Sequence, residues 1–298
     1  MAGDLRDRGR HPVSARDVAA SSPPEAGRAG QARSSFGLMA DFWSVAKLAA
    51  VKAALRLPFL GRRMRGRPFS FRITELGGRP LRLRAGTSDL GTLYHDYVRH
   101  EHLPPPPVAS DELRFVCELG SNVGTGLAGL AARYPSAVVL GVEPDAANAA
   151  LARQNVAAFG DRCRVVESAI WHRSERLAVR GEHPSGYTVE PAGQAETSVS
   201  GLTIDALLAE AMPGERIDYI CFNLEGAEDA VLEAGGEWAA RTRSVRCELH
   251  PQTGFSAERC TELLSALGFR AWAEPEAWGG WGFGVRDGEG PRARESRR

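Results

Sequence analysis

Glu118, Gly120, Asn122, Gly124 and Glu143 have the types and spacing to do chemistry together. The first four fall in the run Phe115-Val116-Cys117-Glu118-Leu119-Gly120-Ser121-Asn122-Val123-Gly124-Thr125-Gly126, where an apolar strand must turn sharply into a helix. Gly120 permits a backbone conformation barred to other residues, and Gly124 lets a ligand or a helix approach closely. The spacing is G-x-x-x-G-x-G, not the G-x-G-x-x-G of dinucleotide enzymes, which counts against a nicotinamide and fits a ligand without a pyrophosphate. Glu118, just before the turn, is placed to neutralise the positive amino group of a bound amino-acid moiety. Glu143, followed by Pro144, ends a second apolar run and is placed to accept hydrogen bonds from a ribose diol. Ser168-Ala169-Ile170-Trp171 falls where an adenine ring would rest, with small residues for access and Trp171 either stacking on the ring or simply packing in the core.

A second set of residues suits proton transfer. A hydroxyl is a poor nucleophile at neutral pH, and a base that takes its proton as the new bond forms accelerates the reaction by about 10²- to 10⁴-fold. Glu225 and His250 each follow an apolar run, the place where open sheets bind ligands. Asn223 shares parity with Glu225, so both are expected to face one crevice, with Asn223 orienting the acceptor. Each base candidate has a plainer rival: Glu225 as a helix-start carboxylate on the amides of residues 226–228, and His250 as a hydrogen-bonded strand-end residue before Pro251. Trp278 and Trp281, in a glycine-rich loop, offer either an aromatic wall for a sugar or hairpin packing. Asp89, after Thr87 and Ser88, either contacts substrate or caps the next helix. His95, Asp96, His100 and His102 do not place three ligands on one helical face, so they read as a solvated helix and no metal site is expected.

These residues need elements to hold them. Strands are expected at 115–119, 138–142, 164–168, 217–224 and 245–249, and helices at 125–133, 146–159, 203–211, 227–234 and 257–267. That alternation with short connections gives an α/β fold, a mostly parallel sheet covered on both faces. Segments 270–273 and 282–286 read as a closing hairpin. Upstream, residues 41–57 repeat apolar side chains at helical spacing between Asp41 and Pro58, with basic residues crowding Arg62 to Arg67. A basic amphipathic helix is able to lie on a membrane surface, but here it is expected to cover the apolar flank of the main domain. Two short strands, at 69–73 and 80–83, and a helix at 90–99 complete an α+β extension. Pro104 to Pro107 make a stiff extended linker and the domain boundary. The organisation is therefore a disordered leader at 1–38, an extension at 39–110, a ligand-binding domain at 111–286 and a disordered tail at 287–298. The leader's Arg, Ala, Ser, Pro and Gly cannot bury enough surface to offset ordering entropy.

With 37 basic and 37 acidic residues, no global field favours nucleic acid. The five cysteines show no C-x-x-C spacing and read as reduced core thiols of a cytoplasmic protein. No apolar run approaches the ~20 residues that span a bilayer, and no signal peptide is evident. Homo-oligomerisation is left open.

Taken in order, the motifs resemble the FkbM family of methyltransferases. The resemblance runs through Glu118-Leu119-Gly120-Ser121-Asn122-Val123-Gly124, Val142-Glu143-Pro144-Asp145, Leu202-Thr203-Ile204-Asp205-Ala206-Leu207-Leu208, Leu224-Glu225-Gly226-Ala227-Glu228 and Glu248-Leu249-His250, preceded by Leu83-Arg84-Ala85-Gly86-Thr87-Ser88-Asp89. It implies a Rossmann-like class I methyltransferase sheet with its closing hairpin. The implied cofactor is S-adenosylmethionine, with Glu118, Gly120 and Asn122 at the methionine end and Glu143 on the ribose. The implied reaction is O-methylation of a small-molecule acceptor, a sugar or natural-product hydroxyl and, in a few members, a carboxylate. Members commonly read Lys-Ile-Asp-Ile-Glu-Gly where this chain reads Cys221-Phe222-Asn223-Leu224-Glu225-Gly226. The missing aspartate removes a ligand of preferred charge from any divalent metal site there and any base role carried by that residue. A nucleotide-dependent oxidoreductase and a non-catalytic cofactor-binding scaffold are the rival readings.

Overall fold

The computed structural model describes residues 35–109, 112–181, 188–193 and 198–286. The expected leader and tail lie outside them, apart from residues 35–38. The first elements are a one-turn helix α1 (Ser35–Leu38), α2 (Phe42–Arg56) and α3 (Pro58–Met64). Asp41 starts α2 by accepting a hydrogen bond from the Ser44 amide at 2.7 Å, a cap worth ~1 kcal/mol. Pro58 then stops it and opens α3, since proline needs no helical N–H in a first turn. The antiparallel hairpin β1 (Pro68–Arg72) and β2 (Pro80–Arg84) follows, then α4 (Asp89–Tyr97) and a single turn α5 (Pro106–Ala109). The four prolines are thus not wholly extended: the last two begin that turn.

The main body alternates strand and helix as the sequence expects: β3 (Phe115–Leu119), α6 (Thr125–Arg133), β4 (Val138–Glu143), α7 (Ala146–Val156) and β5 (Cys163–Glu167). Asp145 caps α7 by accepting from the Asn148 amide at 2.8 Å. Four short strands then form a separate sheet, β6 (Ala169–Ile170), β7 (Glu175–Arg180), β8 (Thr188–Pro191) and β9 (Val199–Leu202), ordered β6-β9-β7-β8. That sheet is absent from the sequence expectation; its strands of two to six residues are too short to show a period. The chain continues through α8 (Ile204–Ala211), β10 (Tyr219–Phe222), α9 (Glu228–Ala234), a short unanticipated α10 (Glu237–Arg241), β11 (Ser244–Glu248), α11 (Ala257–Ala266), β12 (Arg270–Glu276) and β13 (Gly279–Val285).

The large sheet has seven strands in the order β12-β13-β11-β10-β3-β4-β5. Neighbours from β5 to β11 pair parallel, and β13 pairs antiparallel to both β11 and β12. This is the expected mostly parallel Rossmann-like sheet with a closing hairpin. Both faces are covered, which explains strands that read as continuous apolar runs. Along β3, Val116 packs into one cluster of buried residues while Cys117 and Leu119 pack into the other. The first cluster also holds Ile73, Leu81, Leu83, Leu93 and Tyr97, so the upstream hairpin and α4 roof one face of the sheet. The five cysteines are buried free thiols. The helix α2 covers its flank only in part: it buries Ser44 and Val51 and leaves Phe42 and Trp43 exposed.

Candidate active site

The carboxyl ends of β3, β4, β10 and β11 open onto a cleft of about 370 Å³. Its floor is the turn after β3. Gly120 adopts φ +86°, and its amide and that of Ser121 both donate to Val142 O at 2.9 Å. A Cβ on Gly120 would stand 1.7 Å from the Asn223 carbonyl oxygen, so only glycine lets the ends of β3 and β10 close up. Gly124 does not line the cleft; its hydrogen would be replaced by a Cβ 2.8 Å from Ala152 Cα, so it serves the packing of α6 on α7. Asn122 sits at φ +47°, uncommon for a residue with a side chain. Its amide donates to Glu143 Oε2 at 2.9 Å.

Glu118 and Glu143 line this floor, 93% and 96% buried. Burial pushes the Glu118 carboxyl well above the carboxylate range, helped by the buried Asp96, while the Leu127 amide pulls it back. Glu118 Oε2 has no hydrogen-bond partner among the described residues. Glu143 is pushed up to about 7, again by burial, against hydrogen bonds that favour its ionised form. It accepts from Asp145 N at 3.0 Å and Asn148 Nδ2 at 3.3 Å. Asn148 in turn accepts from Arg84, whose guanidinium is held by both oxygens of the fully buried Asp89. Asp89 therefore stands behind the cleft wall rather than on it. Its effect on the site runs through Arg84 and Asn148, and Asp89→Ala is expected to weaken cofactor binding several-fold, as a titration would show; unchanged affinity in a folded variant would assign the network to stability alone.

On the opposite side stand Asn223, Leu224, Glu225, Glu248 and Trp281, with Val189 from the small sheet. The helix-start role weighed for Glu225 belongs to its neighbour: buried Glu228 accepts from the amides of Leu224 at 2.5 Å and Gly226 at 2.8 Å. Glu225 is left on the cleft in a positive-φ conformation, φ +52°. Such strain persists where the surroundings over-determine it and costs ~1–3 kcal/mol. His250 lies beneath, off the cleft, with Nε2 3.7 Å from Glu225 Oε2 and Nδ1 3.4 Å from Glu228 Oε1. The second distance is an ion-pair contact without hydrogen-bond geometry. Burial alone would lower the His250 pKa, but Glu228, Glu248 and Glu225 together raise it to about 9, so the ring is cationic at neutral pH. Burial lifts Glu248 to about 8 and Glu225 to about 7, the latter with His250 opposing. Cys221, which stands where the family commonly has lysine, is a neutral thiol pushed up to about 12 by burial. Asn223 Oδ1 and Trp281 Nε1 are buried without hydrogen-bond partners among the described residues.

Further expectations are corrected. The segment from His95 to His102 is not a solvated helix: Asp96, Glu101 and His102 are buried, and with His95 they line the cleft. The reason is tertiary. Packing of α4 on α6 brings Asp96 against Thr125, which donates to it through Oγ1, and the chain doubles back at His100, φ 56°, placing Glu101 next to His95 at 2.6 Å. Burial holds His102 neutral, down to about 3. Trp171 does not line the cleft; its Nε1 donates to Glu175 at 2.8 Å and its ring lies by a shallow depression against α8, whereas Ser168, Ala169 and Ile170 do line it. Trp278 stands 38% exposed, edge-on to Trp281 at 6.1 Å and outside the lining.

Residues 118–271, just over half of the 298, match the model of the methyltransferase FkbM domain. No curated protein matches the chain. Among solved structures, cofactor-bound Rv0187 from MTB is 16% identical over 82% of this chain and 90% of its own, with a TM-score of 0.41. The sugar N-methyltransferase KedS8 from Streptoalloteichus sp. ATCC 53650 is 14% identical over 59% and 81%, with a TM-score of 0.37. Precorrin-6y C5,15-methyltransferase from Geobacter metallireducens GS-15 is 10% identical over 59% and 81%, with a TM-score of 0.34.

Proposed function

Because the chain belongs to the methyltransferase FkbM family and is an S-adenosylmethionine-dependent methyltransferase, we propose that it methylates a hydroxyl of a sugar or glycosylated natural product with Glu225 as general base. The cofactor suits the residues present. An orphaned, buried Glu118 oxygen in a cleft without lysine or arginine among its described lining residues calls for a cationic group, and the donor is cationic at both its ammonium and its sulfonium. In this reading Glu118 and the Gly120–Asn122 turn hold the methionine end, Glu143 with Pro144 the ribose, and Ser168 and Ala169 leave room for the adenine. When bound, S-adenosylmethionine supplies an electrophilic methyl group whose leaving sulfur departs neutral.

The protein then has to align the acceptor, exclude water and move one proton. Glu225 takes the hydroxyl proton as the acceptor oxygen forms its new bond to carbon. Cationic His250 lies behind it and favours the ionised carboxylate, while Glu248, which keeps its proton up to about 8, serves as a hydrogen-bond donor at neutral pH. Asn223 and the Trp281 indole offer an acceptor and a donor to a polyhydroxylated ring. The observation that carries the reading is the make-up of this wall: Glu101, Glu225 and Glu248 line the cleft with no lysine or arginine among the described lining residues. A carboxylate acceptor would meet three acidic side chains there and no lysine or arginine to pair with, so an uncharged hydroxyl is preferred.

Mass spectrometry on matched glycosides and uronic acids tests this. The expected product is a methyl ether on the neutral glycoside; methyl esters formed while hydroxyl acceptors stay inert would sink it, and tight cofactor binding without transfer across a broad panel would favour a scaffold. For the cofactor side, Glu143→Ala is expected to raise the S-adenosylmethionine Kd about 10- to 100-fold, the loss of charge-assisted hydrogen bonds worth ~1.5–3 kcal/mol. Isothermal titration on the folded variant measures it, and an unchanged Kd would remove Glu143 from the ribose.

A further inference from the structure

We propose that α2 and α3 form a docking surface for an anionic phospholipid membrane. Five of the seven large hydrophobic side chains most exposed in the described chain lie here: Phe42 at 72%, Trp43 at 78%, Leu57, Phe59 at 73% and Leu60. They belong to an ordered arrangement. The inner side of α2 packs through Ser44 and Val51, with Val45 and Leu48 partly covered. On the opposite side, at helical spacing, Phe42, Ala49, Ala50, Ala53 and Leu57 form an exposed apolar stripe. Lys47 borders that stripe on one edge and Lys52 and Arg56 on the other, all exposed. The helix is therefore apolar on two sides, and its own fold accounts for only one of them.

Charge selects the occupant. Residues 42–67 contain Lys47, Lys52, Arg56, Arg62, Arg63, Arg65 and Arg67 and no acidic residue, in a chain whose formal charge is zero. All seven side chains are exposed, and none makes an ion pair with a described residue. Arg63 instead lies over the Phe59 ring at 5.4 Å. Exposed apolar side chains flanked by lysine and arginine are what an in-plane interfacial helix presents, its apolar face at the acyl boundary and its cations at anionic headgroups. Nucleic acid would satisfy the cations but not the Ala-Leu stripe, and a second copy of this chain would bring like charge against like. No helix among the described residues is long and apolar enough to cross a membrane, so the attachment is peripheral.

The test is vesicle co-sedimentation of the full chain, with phosphatidylglycerol-containing vesicles compared with pure phosphatidylcholine. The expected result is at least tenfold stronger partitioning onto the anionic vesicles, weakened by high salt. One variant replaces the apolar groups (Trp43→Ser, Phe59→Ser, Leu60→Ser) and another reverses the edge charges (Lys47→Glu, Lys52→Glu, Arg56→Glu). Each is expected to lose most of that binding while titrating S-adenosylmethionine with wild-type affinity, which reports an intact fold. Equal partitioning onto both vesicle types, no binding, or binding that survives both variants overturns the proposal. So does a dimer in solution that either variant dissolves without any vesicle binding in the wild type.

Discussion

Replacing Glu225 by glutamine is expected to lower kcat by about 10²- to 10⁴-fold, the contribution of a positioned general base, while S-adenosylmethionine affinity stays near wild type. Glutamine keeps the size and the main-chain bonds of the residue, because the loop is held by Glu228 through the Leu224 and Gly226 amides and not by Glu225 itself. What is lost is the capacity to accept a proton. The pH dependence gives a second readout. The ionised carboxylate is the active form, and burial raises its pKa to about 7, so kcat/KM should fall tenfold per pH unit below about 7 and level off above it. A further change is expected near 9, where His250 loses the proton that makes it the counter-charge. His250→Asn removes a cation that lowers the Glu225 pKa, so the rising limb should move to higher pH without disappearing. Undiminished turnover of Glu225→Gln, or a rate independent of pH from 6 to 8, would place the proton elsewhere.

The half of the cleft proposed for the cofactor was legible in the sequence and the other half was not, for a physical reason. The turn at Gly120 and the acids Glu118 and Glu143 sit within a few residues of the strand ends that place them, so local pattern and local geometry agree. Helix α6 follows the turn with the bounds its apolar spacing gives, Thr125–Arg133. The wall proposed for the acceptor is assembled from distant pieces: Glu101 from the bend after α4, Val189 from the small sheet, Trp281 from the closing hairpin. The burial of Asp96 and His102 depends on packing against Thr125 and Gly129 of α6, and nothing in the spacing of four ionisable residues announces that. Metal-ligand spacing does not report burial; two acids among three histidines directly before a proline run were the available signal. The difference between Glu225 and Glu228 was also beyond spacing, since either carboxylate satisfies the motif and only the hydrogen bonds tell the helix-start carboxylate from the one left on the cleft.

Gly120→Ala should be damaging in stability and in cofactor binding together, its methyl making the closest approach of any described glycine. Two costs add. Gly120 holds φ +86°, where an L side chain is strained by ~1–2 kcal/mol. The new methyl also falls 1.7 Å from the Asn223 carbonyl oxygen, and overpacking of that kind costs ~1–3 kcal/mol when neighbours move to relieve it. Relief is hard to find: the obstacle is backbone, the Asn223 amide is bonded to Leu119 O at 2.8 Å, and the Gly120 amide is bonded to Val142 O at 2.9 Å. Movement must therefore part β3 from β10 or from β4, at the edge that floors the cleft. A total of ~2–5 kcal/mol, at about 2–4 °C per kcal/mol for a domain of this size, lowers Tm by roughly 5–20 °C. Gly160→Ala is the matched comparison, since Gly160 also has positive φ, +64°, but a methyl there meets nothing within 4 Å. Only the conformational strain remains at that position, so its Tm loss should be the smaller by the cost of the clash, with S-adenosylmethionine binding intact. Equal losses from the two substitutions would mean that the contact between Gly120 and Asn223 is loose in solution, and with it the closed floor on which the placement of the cofactor depends.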